Sequence, residues 1–169
     1  MPGERRRGPR AARPRTRVVL LLAAVAVTSA VTGCGLQLPA DPDGTLDRIT
    51  GGELRVGASP SGDLVAVEEG EVSGPLADLI EGFADDREST VRWIVDSEED
   101  LVADLEAGRL DLAIGGMTAA TPWSNRVSVT RGYPGIAGSG GADVAVLLPM
   151  GENALQSALE VYLDGQVAR

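Results

Sequence analysis

The sequence predicts an α/β domain in which helices cover both faces of a mostly parallel β-sheet, giving three layers. Short apolar segments typical of strands alternate along the chain with segments of helical periodicity. Strands and helices that alternate in this way form parallel βαβ units with right-handed connections. Residues 143–149 are apolar on both faces, which is typical of a strand in the interior of such a sheet.

Five segments have the length and the apolar content of strands. Residues 54–58 begin the domain, and residues 64–67 follow as a hairpin arm across the turn Ser61-Gly62-Asp63. Residues 91–95 are rich in β-branched side chains, which favour extended backbone. The predicted strands are 54–58, 64–67, 91–95, 110–114 and 143–149.

Three segments have the apolar spacing of an α-helix. In residues 75–85 the apolar positions follow the i, i+3, i+4, i+7 pattern of an amphipathic helix. Ser97 precedes an acidic turn, which is typical of a capped helix start because acids suit the positive end of the helix dipole. The predicted helices are 75–85, 98–107 and 155–165.

The stretch 105–134 indicates where a ligand would bind. A helix ends at Gly108, and the strand 110–114 runs directly into Gly115-Gly116. Thr121-Pro122 predicts an N-cap and the first turn of a further helix. This order places backbone N–H groups at the carboxyl end of a strand, where open α/β sheets bind their ligands.

The same stretch resembles the first lobe of family 3 extracellular solute-binding proteins, the amino-acid-binding subunits of ABC importers. That family typically has Leu-x-x-Gly-Lys-x-Asp, an apolar strand, Met-Thr-x-Thr-x-x-Arg and Pro-Tyr, and residues 105–134 follow this order. Upstream, residues 52–57 and 74–79 resemble the opening strand and the Gly-Phe-x-x-Asp-Leu helix start of the family. The tail, residues 144–165, resembles its closing strand and helix.

The resemblance implies a single lobe of the periplasmic-binding-protein type, with the second lobe missing. Family members cross to a second lobe after their Pro-Tyr and return to the first lobe later. Here about ten residues separate Tyr133 from the returning strand, which is the length of a loop. A ligand bound to one lobe stays partly in water, so we expect weak binding, with a dissociation constant of about 1 mM.

The resemblance also implies a ligand-binding set. In the family, the Thr after Met, the Thr of Thr-Pro and the next Arg hold the α-carboxylate, and Thr118, Thr121 and Arg126 take these places. The spacer before Thr121 is one residue longer than usual, and Arg126 lies later than in the family. Pairing with a surface acid is the alternative role for Arg126. Ser59, after the first strand, either adds a hydroxyl to this set or is a plain loop serine.

Trp123 lies inside the same stretch, between Thr121 and Arg126. It would cover a ligand, anchor a protein partner, or pack over the end of the sheet. The sequence leaves these three roles open.

The N-terminal residues 1–33 have the features of a lipoprotein signal peptide. Seven arginines lie in the first 17 residues, and the apolar run 18–31 is shorter than the roughly 20 residues of a membrane span. Val31-Thr-Gly-Cys34 resembles a bacterial lipobox, which makes Cys34 the lipidated first residue of an exported protein on the outer face of the cell membrane. An uncleaved signal anchor and twin-arginine export are the alternatives. Residues 34–51 are predicted to be a flexible tether, and 52–169 the binding lobe.

Composition excludes several kinds of site. Cleavage before Cys34 leaves 8 basic and 24 acidic residues, a net charge of −16, which repels nucleic acid. With no histidine and one cysteine, the chain lacks the ligands of a Cys/His zinc site, a cysteine nucleophile in the lobe and the usual base of a serine hydrolase. We therefore expect no metal, no cofactor and no enzymatic activity.

Two functions remain. The first is a membrane-anchored protein that binds an amino acid or a similar small carboxylate in connection with a transporter. The second is a degenerate lobe that acts as an accessory or regulatory subunit of a membrane transporter. Oligomeric state stays open, including a dimer that rebuilds a cleft from two lobes.

Overall fold

The fold is a five-stranded sheet between two helical layers, seen in a computed structural model that describes residues 41–167. The sheet strands are β1 (Glu53–Ala58), β4 (Thr90–Val95), β5 (Leu112–Ile114), β6 (Ser128–Val129) and β7 (Leu147–Leu148). A separate hairpin is formed by β2 (Ala66–Glu68) and β3 (Glu71–Ser73). The helices are α1 (Thr45–Ile49), α2 (Pro75–Asp85), α3 (Glu98–Glu106) and α4 (Asn153–Val167).

The sheet order is β4-β1-β5-β7-β6. Strand β1 pairs in parallel with β4 and with β5, whereas β7 is antiparallel to both β5 and β6. Four of the five strands therefore run in the same direction, as the sequence predicts for a mostly parallel sheet. The segment predicted to be an interior strand, 143–149, does supply β7 between two neighbours, although only Leu147–Leu148 are strand.

Alternate residues of the strands supply two cores, one on each face of the sheet. Leu112 and Ile114 point into the larger core, which also holds the buried sides of α1, α2 and α4. Ala113, between them, joins the smaller core, which is filled mainly by α3 and the segment that follows β5. The predicted three-layer α/β arrangement is confirmed. No helix within residues 41–167 is long and apolar enough to cross a membrane.

Three local predictions are wrong, the first of them the hairpin. The arm after β1 pairs with β3 across Glu69-Gly70, and the predicted turn at 61–63 keeps only one bridge, between Ser61 and Val65. Glu69 and Gly70 both have positive φ, 51° and 91°, as a two-residue turn that matches strand twist requires.

The second wrong prediction is the helix at Thr121-Pro122. Residues 121–127 form turns, in which the N–H groups of Arg126 and Val127 both donate to the carbonyl of Trp123, at 2.8 and 3.1 Å. Ser124 and Asn125 favour turns over helix interiors, and Val127 is already buried in the smaller core just before β6. The backbone therefore turns once and becomes extended.

The third correction concerns the tether predicted for residues 34–51. Within it, Thr45–Ile49 form helix α1, and Ile49 is completely buried in the larger core. Asp41 accepts a hydrogen bond from the N–H of Thr45 at 2.8 Å, which helps to fix the start of this helix. Residues 45–49 are therefore part of the folded lobe. The signal peptide, Cys34 and the tether up to residue 40 lie outside the described residues.

The closing loop runs from Tyr133 to Val144 and leads back towards β7. Tyr133 and Val144 pair with each other through two backbone hydrogen bonds, of 2.8 and 3.0 Å. At Gly138, where φ is +78°, a Cβ atom would lie 2.7 Å from the N atom of Leu64. This loop is therefore packed against the segment that precedes β2, and glycine permits the close approach.

A buried carboxylate joins the beginnings of β1 and β5. Asp111, only 1% exposed, accepts hydrogen bonds from the N–H of Arg55 at 2.8 Å and from two guanidinium nitrogens of Arg55 at 2.6 and 3.2 Å. A second guanidinium, that of Arg48 in α1, also pairs with it. The pKa of Arg55 is raised, first by its hydrogen bond to Asp111.

We predict that Asp111→Asn lowers the free energy of unfolding by about 2–3 kcal/mol, because it leaves two guanidiniums without their counter-charge. Urea unfolding measures the change. Asp104→Asn is the matched control, since it removes an ion pair with Arg109, whose side chain is 62% exposed, and should cost less than about 1 kcal/mol. Equal losses in the two variants would contradict the structural role of Asp111.

Candidate functional site

The carboxyl ends of β1 and β5 lie side by side and form the first candidate site. Ser59 follows β1, and its N–H donates to the carbonyl of Ile114, the last residue of β5, at 2.9 Å. A Cβ atom on Gly115 would lie 3.1 Å from the O atom of Ser59, and one on Gly116 would lie 2.8 Å from Oγ of Ser61. Ser59 therefore lies beside Gly115, and the hydroxyl of Ser61 lies close to Gly116.

Thr118 and Thr121 lie at the same ends of the strands, which we call the carboxyl edge. Thr118 is half-buried and forms a bridge with Val144 at the start of the returning strand. The carbonyl of Thr118 accepts a hydrogen bond from the N–H of Thr121 at 3.0 Å. Thr121 is buried, and its hydroxyl accepts a long hydrogen bond, of 3.4 Å, from the N–H of Trp123. Ser59, Ser61 and Thr118 are thus partly exposed at the carboxyl edge, whereas Thr121 is buried.

Arg126 lies at the amino ends of the parallel strands, which we call the amino edge. Its guanidinium pairs with Glu106, the last residue of α3, and lies 5.5 Å above the ring of Trp123. The hydrogen bond from Arg126 lowers the pKa of Glu106. Because α3 leads back to the beginning of β5, Glu106 lies at the amino ends of the parallel strands. Arg126 therefore has its alternative role, which is to pair with a surface acid.

Residues 118–127 run beside helix α3 from the carboxyl edge to the amino edge of the sheet. The indole nitrogen of Trp123 donates to Glu98 at the start of α3, at 3.4 Å, while Arg126 pairs with Glu106 at its end. Eight residues of helix separate the two acids, a distance of about 12 Å. Trp123 is half-buried and packs against the smaller core, so its role here is packing over the sheet and α3.

A cavity of about 530 Å³ lies at the amino edge. Arg126 is one of its lining residues, and the Arg48–Asp111–Arg55 cluster forms another part of its wall. Among the described residues, no group of three or more His, Cys, Asp or Glu side chains is placed to hold a metal ion.

Glu152 forms a buried part of the same wall. It is 1% exposed, and its Oε1 accepts a hydrogen bond from the N–H of Asp43 at 3.3 Å. Within the described residues Oε2 has no hydrogen-bond partner. Burial, followed by a hydrogen bond with the carboxyl of Asp41, raises the pKa of Glu152, while Thr45 and the N–H of Asp43 partly oppose this effect.

Several residues of these two sites were not predicted from the sequence. The Gly-x-x-Asp spacing that ends at Asp111 is a usable signal, because the family motif Leu-x-x-Gly-Lys-x-Asp has an acid at that position. Ser61 lies two residues after Ser59, in a segment interpreted as a turn. Nothing in the sequence marks Glu152 as buried, since it is one acid among 25 acidic residues.

Comparison with solved structures supports the fold assignment. The arginine-bound form of domain 1 from TmArgBP matches with a TM-score of 0.61 and 20% sequence identity, over 70% of this chain and 97% of that domain. Its Phe57Trp mutant, also arginine-bound, matches with a TM-score of 0.62 and 21% identity, over 73% and 99%. This chain has the fold of one lobe of an amino-acid-binding protein. The likeness predicted from the sequence is confirmed at the level of the fold.

The matched structures are mostly binding proteins. An ancestral cyclohexadienyl dehydratase also matches, with a TM-score of 0.46 and 26% identity over 52% of this chain and 38% of that one. This likeness is too partial to bear on activity. No protein-family model matches the sequence, and no curated protein matches it.

We predict that the free energy of unfolding falls as the pH rises from 4.5, the usual pKa of the Glu152 carboxyl, through its raised value in the folded state. In that interval the folded protein keeps a proton that the unfolded chain has lost. Glu152→Gln keeps the shape of the neutral acid, so this variant should lose the fall and be more stable at pH 7, by on the order of 1 kcal/mol.

Urea unfolding between pH 4 and 8 measures both effects. The control is Glu68→Gln, a change of the same kind in the exposed β2–β3 hairpin, which should leave the pH profile unchanged. A Glu152→Gln profile that still falls as the parent does would show that another group is responsible.

Proposed function

We propose that this chain is an extracytoplasmic, lipid-anchored binding protein whose lobe takes an amino acid or a similar small carboxylate at the carboxyl edge of its sheet. The observation that carries the proposal is the match, over nearly the whole of that domain, to a single lobe in its arginine-bound form. A single domain of that protein therefore has an arginine-bound form. The present lobe has the same fold.

The chemistry of the edge supports a small polar ligand. The hydroxyl of Ser61 lies close to the exposed Gly116, and Ser59 and Thr118 are partly exposed residues of the same edge. Hydroxyl groups donate and accept hydrogen bonds, and a backbone without side chains lets a carboxylate approach closely. Arg126 would have to leave Glu106 to reach the carboxyl edge, so in this proposal hydroxyl and backbone groups bind the carboxylate there.

Charge favours a ligand that also carries a positive group. The chain has a formal net charge of −10, and −16 after the predicted cleavage. A field of this sign concentrates cations near the surface and disfavours free anions. Basic amino acids are therefore the first ligands to test, with a dissociation constant of about 1 mM because one side of the ligand remains in water.

The anchor and the transporter connection rest on the sequence. A basic start, a short apolar run and Val-Thr-Gly-Cys34 predict lipidation, which would hold the lobe at the outer face of the membrane beside a transporter. The proposal includes no catalytic step, cofactor or metal. The chain has no histidine, and its lone cysteine is the predicted anchor.

The alternative function is an accessory or regulatory subunit of a membrane transporter. The observation in its favour is that Arg126 pairs with Glu106 instead of lying with Thr118 at the carboxyl edge. Under this alternative, the surface from Thr118 to Arg126 contacts a protein, and no solute binds at the carboxyl edge.

We predict that arginine, added to the ¹⁵N-labelled full chain, shifts the amide resonances of Ser59, Gly116 and Thr118. Thr118→Val should weaken this binding about five- to tenfold, since it removes one hydrogen bond to the carboxylate of the ligand. Thr90→Val is the control, because Thr90 is an exposed threonine at the other end of the sheet.

The titration includes lysine, glutamate and glycine beside arginine. Shifts at the carboxyl edge that both threonine variants retain in full would remove Thr118 from the site. A carboxyl edge that stays silent up to 50 mM of every ligand would reject solute binding there, and would favour the accessory function.

A further inference from the structure

The cavity at the amino edge is lined by side chains of both charges. We call the guanidiniums of Arg48 and Arg126 its basic wall, and the carboxyls of Asp43 and Glu152 its acidic wall. Asp111 lies on the basic side, where two guanidiniums share its single carboxylate and leave one positive charge uncompensated within that cluster. In a chain with this excess of acids, the grouping of three of the seven described arginines around one cavity is a marked concentration of positive charge.

The basic wall keeps hydrogen-bond donors for a ligand. A guanidinium has five N–H groups. Within residues 41–167, Arg48 donates to Asp111 and to the carbonyl of Glu53, at 3.3 Å for the latter, and Arg126 donates to Glu106. Most N–H groups of these two side chains are therefore uncommitted, and guanidinium groups bind carboxylates in a bidentate manner.

The acidic wall has an acceptor without a partner. Asp43 is exposed, and Glu152 is buried behind it with Oε2 unpartnered among the described residues. An ammonium group against this wall would lie beside two carboxyls, one of them short of a hydrogen bond. A buried carboxyl oxygen without a partner is costly, so a donor at this wall is stabilising.

Apolar side chains also line the cavity. Leu105, Leu110, Pro149 and Met150 line it, and Met150 is 58% exposed. Its volume of about 530 Å³ is within the range of small-molecule sites, which is roughly 300–1,000 Å³. A short aliphatic chain with a charge at each end would match all three surfaces.

We propose that the amino-edge cavity is a second binding site, for a small zwitterion whose carboxylate lies on Arg48 and Arg126 and whose ammonium faces Asp43 and Glu152. This site goes beyond the solute site proposed at the carboxyl edge and does not depend on it. A free anion would use only the basic wall, and a free cation only the acidic one.

The test is a titration of the ¹⁵N-labelled full chain with glycine, β-alanine and 4-aminobutyrate, three zwitterions of increasing length. Acetate and methylammonium, at matched ionic strength, each supply one half of the ligand. We expect shifts at Asp43, Gly108 and Met150 with at least one zwitterion, and binding at least tenfold weaker for either half.

Two variants identify the walls. Arg126→Gln and Asp43→Asn should each weaken the zwitterion at least fivefold, and a well-dispersed spectrum confirms that each variant is folded. Arg109→Gln is the matched control. It removes another arginine that pairs with an acid of α3 but does not line the cavity, so binding should be unchanged.

The outcomes separate this site from the one at the carboxyl edge. Amino-edge shifts that Thr118→Val leaves intact and Arg126→Gln abolishes support the second site, whether or not the carboxyl edge responds. An amino edge that stays silent for all three zwitterions overturns the inference, as does acetate binding as tightly as the zwitterions. Solute shifts at the carboxyl edge alone would overturn it while supporting the proposed function.

Discussion

The carboxylate of Asp111 is the interaction on which the arrangement of the lobe depends. It lies where β1 and β5 begin, and it joins both strands to helix α1 through Arg55 and Arg48. A buried charge is tolerated only when its oxygens are fully hydrogen-bonded, and here both oxygens accept several donors. The cluster fixes the register of two adjacent parallel strands, and this register places Ser59 beside Gly115 at their far ends.

The sequence predicts elements well where the signal is local and periodic. Helix α2 was predicted at 75–85, the bounds that the structure has, because Leu76, Ile80 and Phe83 repeat at helical spacing and Pro75 fits the first turn. Ser97 caps α3 as expected, its Oγ accepting from the N–H of Asp100 at 3.2 Å. Prediction failed where tertiary contacts decide: α1 is too short to have a periodic pattern, and it is helical because Ile49 enters the core.

The candidate sites were less predictable than the fold. Ser59 is a candidate because it follows the end of a strand, and Thr118 is a candidate because it matches the Met-Thr motif of the family. The pairing of Arg126 with Glu106 could not be predicted. The chain has many acids, and which of them Arg126 meets depends on how residues 118–127 run along α3. An arginine at a motif position carries a role only if the backbone between it and the motif keeps its length. Here the spacer is longer, and the arginine lies at the other edge of the sheet.

The closing loop has a consequence for how such lobes are built into larger proteins. Tyr133 and Val144 face each other as a hydrogen-bonded pair, so the chain leaves the sheet and re-enters it at neighbouring points, while Gly138 lets the intervening residues lie flat against Leu64. A segment whose two ends are this close can be exchanged for a folded module of almost any length, because the entropy of closing the longer connection grows only slowly. A folded domain inserted between Tyr133 and Val144 would therefore leave the strands on either side in place, and in this chain a short glycine-rich loop makes the connection.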